Sequence, residues 1–187
     1  KGKKNESIAL LNGKNLLKSA ISYHARGDLI NAEKRYREAI KIGFLHSSIF
    51  LNLGLICKSS ERLDEANLLY KKAIELSPNN PDAYSNLGNL YADMGNLEKG
   101  LASILKSLEL RPEHPNSLAN LGRIHQLYGN LDKALASTLK SLELKPDNYI
   151  AFINLGGIYK NTGDLDQALA STLKSLELKP DNPDVHT

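Results

Sequence analysis

A period of 34 residues constrains this chain more than any other feature. LEKGLASILKSLELRPEH (97–114), LDKALASTLKSLELKPDN (131–148) and LDQALASTLKSLELKPDN (165–182) recur at that spacing, and the last two differ only at Lys133 and Gln167. Followed backwards without an insertion, the period gives five units, 13–46, 47–80, 81–114, 115–148 and 149–182. Residues 1–12 precede them as a basic segment or a short leading cap, and 183–187 begin a sixth unit. Near-identical copies fold alike. A copy of this length cannot bury an apolar face alone, so neighbours must stack into one continuous array.

Within a unit numbered 1 to 34, apolar or small residues fall at positions 4, 7, 8 and 11, as in Tyr84, Leu87, Gly88 and Tyr91. This i, i+3, i+4, i+7 spacing marks one face of a helix. A second apolar run follows in Leu101, Ile104, Leu105, Leu108 and Leu110. Between the runs stand Gly27-Asp28, Gly95-Asn96, Gly129-Asn130 and Gly163-Asp164. Glycine suits the left-handed residue that closes the first helix, and Asn or Asp caps the second. Pro112, Pro146 and Pro180 stop the second helix, whereas Pro81, Pro115 and Pro183 suit the first turn of the next one. Each unit is therefore expected to be a pair of antiparallel helices, A and B.

The small residues at position 8 (Ala20, Gly54, Gly88, Gly122, Gly156) and position 20 (Ala32, Ala66, Gly100, Ala134, Ala168) carry a family resemblance. So do Pro78, Pro112, Pro146 and Pro180 at position 32, and the tyrosines at position 11. The pattern resembles the tetratricopeptide-repeat (TPR) family. That resemblance implies an all-α fold, a right-handed α-solenoid of antiparallel helix pairs whose helices A line a concave groove. It also implies a protein-protein interaction module that binds a peptide or protein segment there. The departures are Phe44 at the proline position, Gly100, and Ile104, Thr138 and Thr172 where an aromatic residue is usual. They suggest looser local packing.

Positions 2, 5, 6, 9, 12 and 13 lie opposite the core seam, since a helix turns about 100° per residue. Position 6 reads Lys18, Asn52, Asn86, Asn120 and Asn154. An amide offers donors and an acceptor, so a ladder of amides suits the backbone of an extended peptide. It is similar to the asparagine ladder of the O-linked N-acetylglucosamine transferase family, but asparagine is common at this position in TPRs and is equally explained by inheritance. With Asn89, Arg123 and Lys160 these residues form the candidate groove. The groove side of helix A changes from unit to unit while helix B is nearly copied, which fits selection for different contacts or drift on a solvated face. The carboxylate clamp that captures chaperone tails is not matched, because Ser85, Ile150 and Asn154 stand where cations are needed.

No phosphate-binding glycine loop, His-Glu-x-x-His or Cys-x-x-Cys is present, so no catalytic site, metal or cofactor is expected. His125 and Cys57 occupy the core position of the tyrosine column and read as packed side chains. The groove lacks the aromatic residues that stack nucleic-acid bases. Residues 1–46 carry a balance of +6 and residues 47–187 one of −3, and the basic end reads as a solvated surface. No long apolar run predicts a membrane span or a signal peptide, and with a single cysteine the expected location is cytoplasmic. Two other expectations complete the reading. Many bacterial arrays of this kind precede transferase domains, so the chain is alternatively the targeting arm of a larger enzyme that continues past Thr187. The apolar side of the last helix B (Leu169, Leu173, Leu176) is expected to support end-to-end self-association.

Overall fold

The computed structural model describes residues 2–179, with side chains from Ala9 onward. These residues form ten helices and no strand: α1 (Gly2–Ala25), α2 (Leu29–Lys41), α3 (Ser47–Ser59), α4 (Leu63–Leu76), α5 (Pro81–Asp93), α6 (Leu97–Leu110), α7 (Pro115–Leu127), α8 (Leu131–Leu144), α9 (Tyr149–Thr162) and α10 (Leu165–Leu178). Each odd-numbered helix packs on the next as a hairpin. Helices A of the sequence are the odd-numbered ones. The fold is all-α, as the period requires.

The chain divides into two compact units, Lys1–Pro78 with α1 to α4 and Asn79–Thr187 with α5 to α10. In the first unit α2 packs on α3. In the second, α6 packs on α7 and α8 on α9, and the first helices also stack directly, α5 on α7 and α7 on α9. α1 is continuous from Gly2 to Ala25, so residues 2–12 extend the first helix. Gly13 does not break that helix. It lies directly against the ring of Phe44, where a Cβ would collide.

The turns follow the glycine code. Gly27, Gly95, Gly129 and Gly163 all have φ between +74° and +85°, the left-handed conformation that closes a helix. Glu61 holds the equivalent place in the second hairpin at φ +58°, a conformation that costs a residue with a Cβ. Asp28, Asn96 and Asp164 then cap the following helices by accepting from Asn31, Lys99 and Gln167 backbone N–H groups at 3.1, 3.2 and 3.1 Å. α6 and α8 end two residues before Pro112 and Pro146. Pro180 and Pro183 lie outside the described residues.

Small residues let the hairpin helices meet. A Cβ on Gly88 would stand 2.7 Å from Ile104 and 2.9 Å from the Gly100 carbonyl oxygen. Ile104 and Thr138 are fully buried, and Thr138 Oγ1 donates to the Ala134 carbonyl at 2.7 Å. Ile104 and Thr138 are thus closely packed where looser packing was expected, whereas Thr172 is only half-buried. On α10, Leu169 and Leu173 are 60% and 57% exposed, and Leu176 is half-buried.

Candidate binding face of the first helices

α5 stacks on α7 and α7 on α9 in the second unit, and these helices carry most of the positions expected to face a groove. Burial sorts these residues. Asn120 and Asn154 are 4% and 5% exposed, whereas Asn86, Asn89 and Arg123 are half-buried and Lys160 is exposed. Asn120 Nδ2 donates to Ser85 Oγ at 3.1 Å and to the Ser85 carbonyl at 3.4 Å. Asn154 Nδ2 donates to the Ala119 carbonyl at 2.7 Å. Each amide thus reaches the residue 35 places earlier, on the neighbouring first helix. These two rungs staple the stack with their amide hydrogens. In the first unit Asn52 Nδ2 donates to the Tyr36 hydroxyl at 3.0 Å, and Lys18 is exposed on α1.

Arg123 is the fixed polar group of the open surface. Its Nη1 donates to Asn89 Oδ1 at 2.5 Å and its Nη2 lies 2.6 Å from Asp93 Oδ1. Both partners belong to α5 and its end, so the guanidinium bridges two helices with its side chain 31% exposed. The nearby Gln126 covers Gly157 of α9, where a Cβ would stand 2.6 Å from Nε2. A planar, oriented cation of this kind suits carbonyl and carboxylate oxygens.

A second polar cluster, at the start of α7, is one that sequence reasoning missed. His114 is 3% exposed and its Nε2 stands 2.9 Å from Asp82 Oδ1. Its Nδ1 stands 2.5 Å from Ser117 Oγ, which lies 2.6 Å from Ser107 Oγ. Ser107 Oγ donates to the Pro81 carbonyl at 2.7 Å. The hydrogen bond from His114 holds the Asp82 carboxyl below the usual carboxylate range. Asp, His and Ser in contact suggest a nucleophilic triad, but Ser107 and Ser117 are fully buried and offer no oxygen to a substrate. The signal was present in register: position 34 is always His or Asn, with serine at position 27 only from the third unit on.

Elsewhere, burial pushes the Cys57 thiol up to about 11, so it is an inert core group. Burial also lowers the His125 ring below the ordinary histidine value, and its buried Nδ1 has no partner. Among the described residues no group of His, Cys, Asp or Glu is gathered as metal ligands, and no helix is long and apolar enough to cross a membrane.

Residues 54–95 match a family described as TPR repeat, and residues 81–147 and 138–170 match families described as tetratricopeptide repeat. No curated protein matches the sequence. Among solved structures, a thermophilic TPR protein of Thermus thermophilus, TTC0263, is similar with a TM-score of 0.79 and 23% identity, over 93% of this chain and 95% of that one. YrrB, a TPR protein with an unusual peptide-binding site, gives 0.59 and 21% over 91% and 88%. The Cut9–Hcn1 hetero-tetramer of the APC/C gives 0.75 and 17% over 93% and 35%.

Proposed function

We propose, starting from the fact that this chain belongs to the tetratricopeptide-repeat family, that the shared face of α5, α7 and α9 binds an extended segment of a partner protein. The repeat is that of a protein-interaction scaffold, and YrrB offers the analogy of a peptide site on such a fold. The observation that carries the reading is Arg123, anchored at 2.5 Å by Asn89 and 2.6 Å by Asp93 on an otherwise open surface. An anchored guanidinium loses little freedom on binding, so a ligand oxygen gains more of the contact energy. Asn86, Asn89 and Lys160 line the same face and supply further polar contacts. Asn120 and Asn154 act from below, by keeping the helices at one spacing. A segment of about ten residues, at roughly 3.3 Å each, spans three first helices. The same reading includes end-to-end association of copies through the exposed Leu169 and Leu173 of α10.

The test is to select peptides of about that length from a random library on the intact chain and titrate them into 15N-labelled protein. The reading expects amide shifts at Asn86, Asn89, Arg123 and Lys160 and none at Lys106 or Lys140 on the second helices. Shifts confined to the second helices would refute it.

A further inference from the structure

We propose that the His114 junction is a proton-operated clamp, in which the hydrogen-bond chain tying α6 to the start of α5 closes only while the imidazole carries a proton on each nitrogen. The Pro81 carbonyl can only accept, so the 2.7 Å contact takes the single hydroxyl proton of Ser107. Ser107 then has none for Ser117, so their 2.6 Å contact takes the proton of Ser117. Ser117 has none left for the ring, so the 2.5 Å contact takes a proton from His114 Nδ1. At the other edge Nε2 lies 2.9 Å from Asp82, whose carboxyl is held ionised, so that proton is also the ring's. Remove the Nδ1 proton and the chain must reverse. Ser117 turns to the ring, Ser107 turns to Ser117, and the Pro81 carbonyl loses its link.

The charged groups around the ring are few. Asp82 faces it from α5, and Arg111 acts on Asp82 from the connection between α6 and α7. Glu113, adjacent in sequence, acts on Lys140 of α8. From α6 and α7 the facing groups are the hydroxyls of Ser107 and Ser117.

The next junction is a control built into the same chain. Asn148, 1% exposed, donates from Nδ2 to Ser141 Oγ at 2.8 Å, and Ser141 Oγ donates to the Pro115 carbonyl at 2.8 Å. The clamp is the same, but an amide carries its hydrogens at every pH. Ala151 stands there in the place of Ser117. One junction therefore has a permanent donor and the other a conditional one. The closed His114 junction holds a proton that the open one releases, so its contribution weakens as that proton is lost with rising pH.

Two measurements on the full chain decide this. Followed through a pH titration, the 15N signals of the His114 ring are expected to report loss of the Nδ1 proton together with a change in the 13C signal of the Pro81 carbonyl, whose hydrogen bond from Ser107 is then lost. Loss of the Nδ1 proton with the Pro81 carbonyl signal unmoved would overturn the proposal. In parallel, H114N/S117A rebuilds the Asn148 junction at this site. Raising the pH from about 6 to about 8 is expected to lower the thermal midpoint of the unmodified chain by a few degrees relative to the double variant. Ser107→Ala, which removes the middle hydroxyl and leaves His114 in place, is expected to flatten the same difference. Curves that run parallel for all three proteins would overturn the clamp.

Discussion

Replacing Asn154 by alanine separates the role of the buried amides from that of the open face. The side chain is 5% exposed and its single hydrogen bond, 2.7 Å to the Ala119 carbonyl, joins α9 to α7. A buried neutral hydrogen bond contributes about 1 kcal/mol net. The Ala119 carbonyl, in mid-helix, keeps its intrahelical partner and is not orphaned. Truncation also leaves a small void, so the expected cost is about 1–2 kcal/mol. Asn120→Ala is expected to cost about as much, since it strands Ser85 Oγ, a hydroxyl in a residue 1% exposed. Lys160→Ala, on the exposed surface, should stay within about 0.5 kcal/mol. Urea unfolding followed by circular dichroism measures all three. Stacked repeats can lose cooperativity locally, so amide hydrogen exchange in α7 and α9 accompanies it, with loss of protection expected there first. A cost for Asn154→Ala no larger than that of Lys160→Ala would refute the stapling argument.

Four further outcomes follow from particular residues. Glu61→Gly relieves a left-handed φ of +58° and should stabilise by about 1 kcal/mol, less the entropy glycine adds to the unfolded chain, as read by thermal melting. His125→Tyr removes a buried Nδ1 without a partner and restores the tyrosine found at Tyr91 and Tyr159; denaturant titration should show a gain of about 1 kcal/mol. Glu33 is held below the usual carboxylate range chiefly by its hydrogen bond with Arg62, and Asp82 by that with His114. Both carboxyls therefore add stability above the unfolded value of about 4 and lose it as pH falls below. Thermal midpoints between about pH 5 and pH 3 should fall less steeply in E33Q and D82N than in the unmodified chain. Sedimentation at high concentration should show association of copies that L169Q/L173Q reduces, and a strictly monomeric chain would remove that part of the reading.

The fold was legible because the period, the apolar spacing and the Gly-Asn turns all point to one helix pair per copy. Position 15 shows how local that code is: four glycines take the left-handed turn, and Glu61 follows them because the flanking helices demand it. The candidate face was legible in part. Its positions follow from turning the core seam around the helix, and of these Arg123 and Asn89 are half-buried and Lys160 is exposed. What the sequence did not reveal is depth. A position opposite the seam of its own helix still meets the neighbouring first helix, so Asn120 and Asn154 are buried in the stack although they stand on the groove side. The His114 cluster escaped for a related reason. Asp82, Ser107 and His114 belong to one repeat and Ser117 to the next, and helical spacing, which relates positions along a single helix, does not show that two helices and the loop between them meet there.

The most direct test of the central claim is the affinity of a library-selected peptide for two substituted chains, measured by calorimetry. Arg123→Ala removes the anchored guanidinium of the open face, and Lys140→Ala removes a cation 54% exposed on α8. A hydrogen bond to a charged group contributes about 1.5–3 kcal/mol, so Arg123→Ala is expected to weaken binding roughly ten- to hundredfold while Lys140→Ala leaves it unchanged. Equal affinity for the Arg123→Ala chain, or a loss on Lys140→Ala instead, would contradict the assignment of the binding face to α5, α7 and α9.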